Sequence, residues 1–423
     1  MSNQESIELE SFIDGRTEQN RSETKSTSRN VSKIITITIV IILLLIFTLG
    51  GIRVATGMFV FPEKISSTPA PASANQRISA CNKRVIGYYS ATETSEITSS
   101  QIFKLTHAVF AFVYMTSEGI LTFIDQYEMD RFSKLKEVVR NGKYKVKLLF
   151  SIGGKDNSRN FSTVISSEKR IQTFIKSILD FLKDHNLNGV DLFWKWPEEK
   201  EKMKYSKFIQ RLKKEEGWER AYDFKQLVQD VDFVNIYSMD YYGPWPDDLA
   251  GDTTGPSAPI FGCPWKKGAY NVHHSAKIYS CRTKKSSKFN IAIPFYATLW
   301  ENVYEPFPSP GRDVFRYVAS NNGMTIGQRY MNRSIVKQQG FQLERYSYDE
   351  LTKGSFIYNS TTVRYLTFET ERSIREKTGY VKDGVMGGVW IWSVDMDDES
   401  NSQLNAITFK GRCAVERKSK HDC

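Results

Sequence analysis

The sequence predicts an α/β fold of parallel strands joined by crossover helices, set behind one membrane-spanning segment. Three observations carry this reading. From Lys83 onward, short β-branched and aromatic runs alternate with amphipathic stretches. Such alternation packs helices over a parallel sheet, as a closed barrel or a doubly wound sheet. Residues 34–52 (IITITIVIILLLIFTLGGI) are uncharged and mostly apolar, and at about 1.5 Å per residue they suffice to cross a bilayer core. Finally, 40% of the 423 residues are hydrophobic and 13% aromatic, which is ample material for a packed core.

Residues 1–33 form a polar tail with five basic and six acidic side chains, so the tail carries −1 and the remainder about +11 of the net +10. The Lys and Arg of that remainder are interspersed with Asp and Glu and form no basic stripe, so nucleic acid is not an expected partner. Ser2 follows the initiator Met, and N-myristoylation requires Gly there. The apolar stretch follows this long tail and not a short positive leader, so it reads as an uncleaved signal-anchor helix. Arg16, Arg21, Lys25, Arg29 and Lys33 precede it, whereas Arg53 and Lys64 follow over a similar distance. Positive flanks stay cytoplasmic, so the expectation is a single-pass type II protein with its C-terminal part extracellular or luminal.

Residues 53–82 read as a stalk, rich in Pro, Ser and Ala over 62–80. Sequons at Asn160, Asn332 and Asn359 then fall on the glycosylated side. Cys81, Cys263, Cys281, Cys413 and Cys423 all follow the apolar stretch, with no CxxC pair and no metal-ligand spacing. No metal and no cofactor is expected. Outside the cytoplasm, two disulfides and one leftover thiol fit this count. Spacing leaves the pairing open, with Cys263–Cys281 favoured because the segment between them looks like an irregular surface loop.

The expected strands are residues 84–89, 108–113, 145–150, 190–194, 233–237, 290–295 and 387–392. Between them lie helical patterns such as 167–186, with Ile171, Phe174, Ile175, Ile178, Leu179 and Leu182 on one face. No Gly-rich phosphate loop follows the first strand, which argues against a dinucleotide-binding sheet. Several strands end in Gly, polar or aromatic residues: Ser151-Ile152-Gly153-Gly154, Asp191 to Lys195, Asp240-Tyr241-Tyr242-Gly243 and Trp392-Ser393. Any one of these alone reads as packing and turns. Four in this order read as a site on the face where barrel strands end.

In these residues the chain resembles glycoside hydrolase family 18, the chitinases and chitinase-like lectins, and looks closest to nematode-type chitinase-like proteins with a membrane anchor. Ser151-Ile152-Gly153-Gly154 is similar to the family's SxGG. Residues 188–195 (NGVDLFWK) lie on its DGxDxDxE signature, residues 237–240 (YSMD) on its MxYD motif, and residues 388–392 (GVWIW) on its last strand. The resemblance implies a TIM (β/α)8-type barrel over residues 83–412, with a small α+β insertion at about 300–365 and a tail at 413–423.

The departures from the family pattern imply that the chain is not an enzyme. Family members use a Glu to protonate the glycosidic oxygen and an Asp to orient the sugar's acetamido group, an exception to the two-carboxylate scheme. On the resemblance, Lys195 stands at the acid position, Phe193 at the orienting Asp and Met239 at the Tyr of MxYD, while Asp191 and Asp240 are kept. An ammonium with an ordinary pKa of about 10.4 is a weak proton donor at neutral pH. A positive charge about 4 Å from the cationic transition state costs about 4 kcal/mol at an effective dielectric of 20, roughly a thousandfold in rate.

Residues that could still hold a glycan are Trp392 at the floor position, Trp245, Tyr296 and Asp240; Thr92, Lys155 and Thr298 stand where other family contacts are lost. Weak binding of chitin or chito-oligosaccharides is therefore the expected activity. A protein-interaction ectodomain without a sugar site is the alternative. One departure touches the fold itself: residues 198–231 hold no β-branched run of four, so the fifth of eight strands is expected to be missing or distorted, which disturbs barrel closure.

Overall fold

The computed structural model of the chain describes residues 82–409, apart from 202–203, 206–207, 210–211, 213–227, 246–251, 263–267, 308–311 and 385. All of these fall in one compact unit, Gln76–Cys423. Residues 34–52, the stalk up to residue 81 and the tail at 413–423 lie outside the described residues, as do Cys81, Cys263, Cys413 and Cys423. No helix among the described residues is long and apolar enough to cross a membrane. Cys281 is disulfide-bonded, and its partner lies outside the described residues.

Seven parallel strands form one curled sheet: β1 Arg84–Ser90, β2 His107–Met115, β3 Lys147–Gly153, β4 Gly189–Phe193, β5 Val234–Asn235, β6 Phe289–Pro294 and β7 Gly388–Trp392. Their order is β4-β3-β2-β1-β7-β6-β5. In-register pairs such as Gly87↔Ala108, Ser151↔Asp191 and Trp390↔Ala292 hold neighbouring strands together. All seven expected runs are strands, although the 233–237 run forms only two residues of β5. Of the eight strands the resemblance implies, seven are found, and among the described residues no strand joins β4 to β5. The stretch between them, residues 198–231, is charged and holds no β-branched run of four to favour a strand.

Burial follows this gap. All six residues of β6 are buried, and so are all but the first of β1. By contrast every residue of β4 and of β5 is only half-buried. The helices cover the sheet's outer face. Helix α1, Gln126–Asn141, begins where the Asp125 side chain accepts the Glu128 N–H, satisfying an orphan donor of the first turn. Helix α2, Glu168–Asp184, buries Ile171, Phe174, Ile175 and Ile178, the stripe its 3.6-residue period lays on one face. Helix α3, Val272–Thr283, is capped by Asn271 and ends at Lys284 in the left-handed region. Helix α4, Glu371–Asp383, is capped by Thr370 and Ser373. Within it, buried Lys377 donates to Glu369 at 2.7 and 2.9 Å.

Between β6 and β7 the chain builds a separate antiparallel sheet, in the order Gly327–Met331, Ala297–Trp300, Arg364–Phe368, Gly354–Asn359 and Ser347–Asp349, with a short helix at Arg333–Gln338. This insertion has its own cores, one around Trp300, Phe315, Phe356 and Tyr365 and one around Leu299, Met331 and Leu366. It matters for the site because Tyr330 and Arg329 reach back to the strand ends of the main sheet.

Candidate functional site

At the C-terminal end of β3, Gly153 and Gly154 adopt φ of +119° and +76°. A Cβ on Gly153 would stand 2.2 Å from the Phe193 carbonyl oxygen, and one on Gly154 would stand 2.5 Å from the Phe112 ring. Only glycine allows this closeness. It lets β3 lie against the end of β4, so that Ser151 Oγ donates to Asp191 Oδ2 at 2.6 Å. Tyr88 of β1 also hydrogen-bonds Asp191, and burial pushes that carboxyl up from its usual range against those two bonds. The Tyr88 hydroxyl accepts from Asn235 Nδ2 at 2.8 Å. Asp191 is therefore committed to a structural network spanning β1, β3, β4 and β5.

Two residues on, Phe193 lies among rings. Its centroid is 5.3 Å from Phe112, 6.0 Å from Trp392, 6.1 Å from Tyr237 and 6.3 Å from Tyr88. Phe112 stacks on Trp392 at 5.5 Å. These spacings are those of favourable edge-to-face and offset contacts. The floor of the cleft is an aromatic platform on which Trp392 is half-buried.

Lys195 closes the opposite side. Its Nζ donates to the Tyr237 hydroxyl at 2.5 Å and stands 4.0 Å from Asp240 Oδ2. The same ammonium sits 4.2 Å from the Tyr237 ring centroid and 5.5 Å from that of Trp196. Burial lowers its pKa most, Asp240 opposes that shift, and Arg329 and Lys155 add to it. Asp240 itself lies at φ +59°, a conformation Asp tolerates better than most residues. It accepts three tyrosine hydroxyls: Tyr237 at 2.5 Å, Tyr330 at 2.7 Å and Tyr296. Burial and the Asp240 charge hold the Tyr237 and Tyr296 hydroxyls well above the ordinary phenol range, so both stay protonated donors.

The structure thus gathers Asp191, Phe193, Lys195, Asp240, Tyr296 and Trp392 at the strand ends. Tyr296 is only 2% exposed and spends its hydroxyl on Asp240 and Ser257, so it braces the acid and presents no open face. Met239 is buried in the main core. Trp245 is half-buried with the Arg329 guanidinium 4.4 Å from its ring centroid. Tyr237 and Tyr330 were not singled out in the sequence. Tyr237 had a signal: it is two residues before Met239, on the same face of an extended run. Tyr330 had none, since it comes from the insertion.

A cavity of about 650 Å³ opens between β4 and β5, with Asp191, Phe193, Trp196, Tyr205, Phe233 and Tyr237 among its lining. The three sequons differ in setting. Half-buried Asn160 donates its amide to Met115 O at 2.7 Å. Asn332 accepts the Ile335 N–H as a helix cap. Asn359 is exposed, and its carboxamide oxygen accepts the Thr361 and Thr362 N–H groups. Among the described residues no group of acidic, His or Cys side chains is arranged to hold a metal ion.

A curled parallel sheet that gathers its polar and aromatic residues at the C-terminal strand ends is a fold of the TIM-barrel class. The model of one family of that class, the glycosyl hydrolases family 18, matches residues 84–397, and the chain belongs to this family. It is 24% identical over 357 residues to chitinase-3-like protein 2 of Homo sapiens, covering 74% of this chain and 85% of that one. Chitinase RmChi1 from Rhizomucor miehei superposes with a TM-score of 0.65 at 20% identity, over 77% of this chain and 99% of its own. Human YKL-39, a pseudo-chitinase with retained chitooligosaccharide binding properties, superposes with a TM-score of 0.62 at 21% identity, over 76% and 95%. At these identities the structural likeness speaks for the fold.

Proposed function

We propose that this is a catalytically inactive, membrane-anchored chitinase-like protein that binds N-acetylglucosamine glycans weakly. The observation that supports it best is the Lys195 ammonium, bonded to Tyr237 and 4.0 Å from Asp240, just past the end of the strand whose motif resembles the one that carries the acid in family enzymes. Hydrolysis needs a carboxylic acid beneath the glycosidic oxygen and a neighbouring carboxylate at the acetamido group. On the motif resemblance, the Lys195 ammonium and the Phe193 ring stand in for these two groups. The two nearby carboxylates are engaged otherwise: Asp191 by Ser151 and Tyr88, and Asp240 by three tyrosines. The exposed part of Trp392 and its stack with Phe112 remain as a sugar-stacking floor, with Trp245 at the rim. A relative of the same fold that binds chitooligosaccharides as a pseudo-chitinase adds support.

The test has two arms. A fluorogenic chitobioside is expected to be released no faster than in buffer; turnover abolished by Asp191→Ala would overturn the inactive reading. Chitin beads are expected to retain the ectodomain, and Trp392→Ala to lose most of that retention. No retention by either form would favour the rival reading, a protein-interaction ectodomain.

The membrane part of the proposal rests on residues 34–52 and their basic N-terminal flank. Asn359 is the proposed attachment point for an N-glycan, as the exposed sequon. In microsomes the ectodomain is expected to resist added protease and to gain a glycan that Asn359→Gln removes. Digestion of the ectodomain with survival of the 33-residue tail would reverse the orientation.

A further inference from the structure

The network around Lys195 has chemistry that glycan binding does not use. An amine is a carbonyl nucleophile when it is neutral, and lysines in desolvated surroundings are the ones that form imines. Lys195 lies in such surroundings: its side chain is 23% exposed, with the Tyr237 ring on one side and Trp196 on another. Its Nζ is one hydrogen bond from a phenol that is itself one hydrogen bond from a carboxylate. That chain of amine, hydroxyl and acid is what imine formation requires, because protons must reach the departing oxygen and leave the nitrogen.

We infer that Lys195 is an imine-forming lysine, taking the aldehyde of a small hydroxylated molecule that enters the cleft over Trp392. The neutral amine attacks the carbonyl carbon, forming the C–N bond while the C=O pair moves to oxygen. That oxygen takes a proton from the Tyr237 hydroxyl, which is resupplied from the nitrogen across the hydrogen bond that joins the two, while Asp240 holds the phenol in place. A second proton along the same route lets the oxygen leave as water while the nitrogen lone pair closes the C=N bond. One aldehyde and one amine give one imine and one water, with no oxidant or reductant. The imine so formed is neutral; on taking up a proton from solvent it becomes an iminium beside Asp240, whose charge opposes it. The charged and titratable groups facing this nitrogen are Asp240, Arg329, Lys155, Tyr237 and Tyr330. Burial together with Arg329 and Lys155 lowers the Lys195 pKa against Asp240, which enlarges the neutral fraction at pH 7.

The inference uses the same cleft as the glycan-binding reading, yet its readout is separate: covalent labelling in place of bead retention. The full chain is treated with glycolaldehyde and cyanoborohydride at pH 7, and the adducts are mapped by peptide mass spectrometry. Lys195 is expected to label faster than Lys134, an exposed helix lysine. Its labelling is also expected to level off below pH 10.5, the ordinary lysine value. Tyr237→Phe should slow labelling of Lys195 while that of Lys134, measured in the same digest, is unchanged. Equal rates for Lys195 and Lys134 would overturn the inference, and so would a Tyr237→Phe rate at Lys195 equal to the parent's.

Discussion

Lys195 and Asp240 are partners at arm's length. The carboxylate is held by three tyrosine hydroxyls, and the ammonium reaches it only through one of them. Desolvation of the ammonium outweighs the attraction, so the folded-state pKa of Lys195 lies below the ordinary lysine value of 10.5. A depressed pKa means that the native state binds its proton less readily than the unfolded chain. This group's favourable contribution is present above the unfolded pKa and is lost as pH falls through the folded one. At pH 7 the charge is therefore a burden on folding. Lys195→Met, which keeps the stem and removes the charge, is expected to raise the melting temperature at pH 7 and to lose that advantage above pH 10.5. A lower melting temperature for the variant at pH 7 would show that the pair stabilises the fold. Lys195, Phe193, Asp191 and Asp240 were legible in the sequence because each sits in a short motif at a strand end. The acid's true surroundings were not. Tyr237 was overshadowed by the motif position at Met239, and Tyr296 and Tyr330 meet Asp240 across 56 and 90 residues of chain, a distance no spacing rule spans.

The strands and helices were the most readable level, because period-2 and period-3.6 patterns are local. Every one of the seven runs became a strand, and the 167–186 pattern became α2 with four of its six listed apolar residues buried. What local pattern misses is the consequence of a polar residue beginning a strand. His107 opens β2, 9% exposed, its Nδ1 2.8 Å from Thr106 Oγ1 and its ring edge-on to Phe233 at 5.2 Å. Burial above all, then Lys147 and Arg84, lower its pKa from 6.5 to about 4, with Asp232 opposing. The stability from a neutral His107 is thus fully present above pH 6.5 and is lost as pH falls through about 4, a contribution of about 3 kcal/mol at roughly 1.4 kcal/mol per unit. His107→Phe keeps a ring against Phe233 and removes the titration. Denaturant melts at pH 7 and pH 4 should show the variant losing about 3 kcal/mol less than the parent over that interval. Equal losses would sink this assignment.

At the scale of the whole molecule, the gap between β4 and β5 among the described residues bears on where the sheet is weakest. In a closed barrel every strand has two neighbours, and backbone N–H groups on both sides are protected. Here β1 and β7 each lie between two partners, whereas β4 pairs only with β3 and β5 only with β6 among the described residues. The terminal strands are also the half-buried ones, beside the 650 Å³ cavity. Local opening free energies follow buried contacts and paired backbone, so a sheet whose end strands have one partner each among the described residues should unzip from those ends inward. Amide hydrogen exchange on the protein is expected to rank the strands, with β1 and β7 slowest, β2, β3 and β6 intermediate, and β4 and β5 fastest by at least about tenfold, equal to roughly 1.4 kcal/mol of opening free energy. The site straddles this gradient. Trp392 stands on the most protected strand, while Phe193 and Lys195 stand at the end of an edge strand, so the cleft pairs a fixed floor with a yielding wall. Uniform protection across all seven strands would mean that the edges of β4 and β5 are covered in solution, and the wall would then be as rigid as the floor.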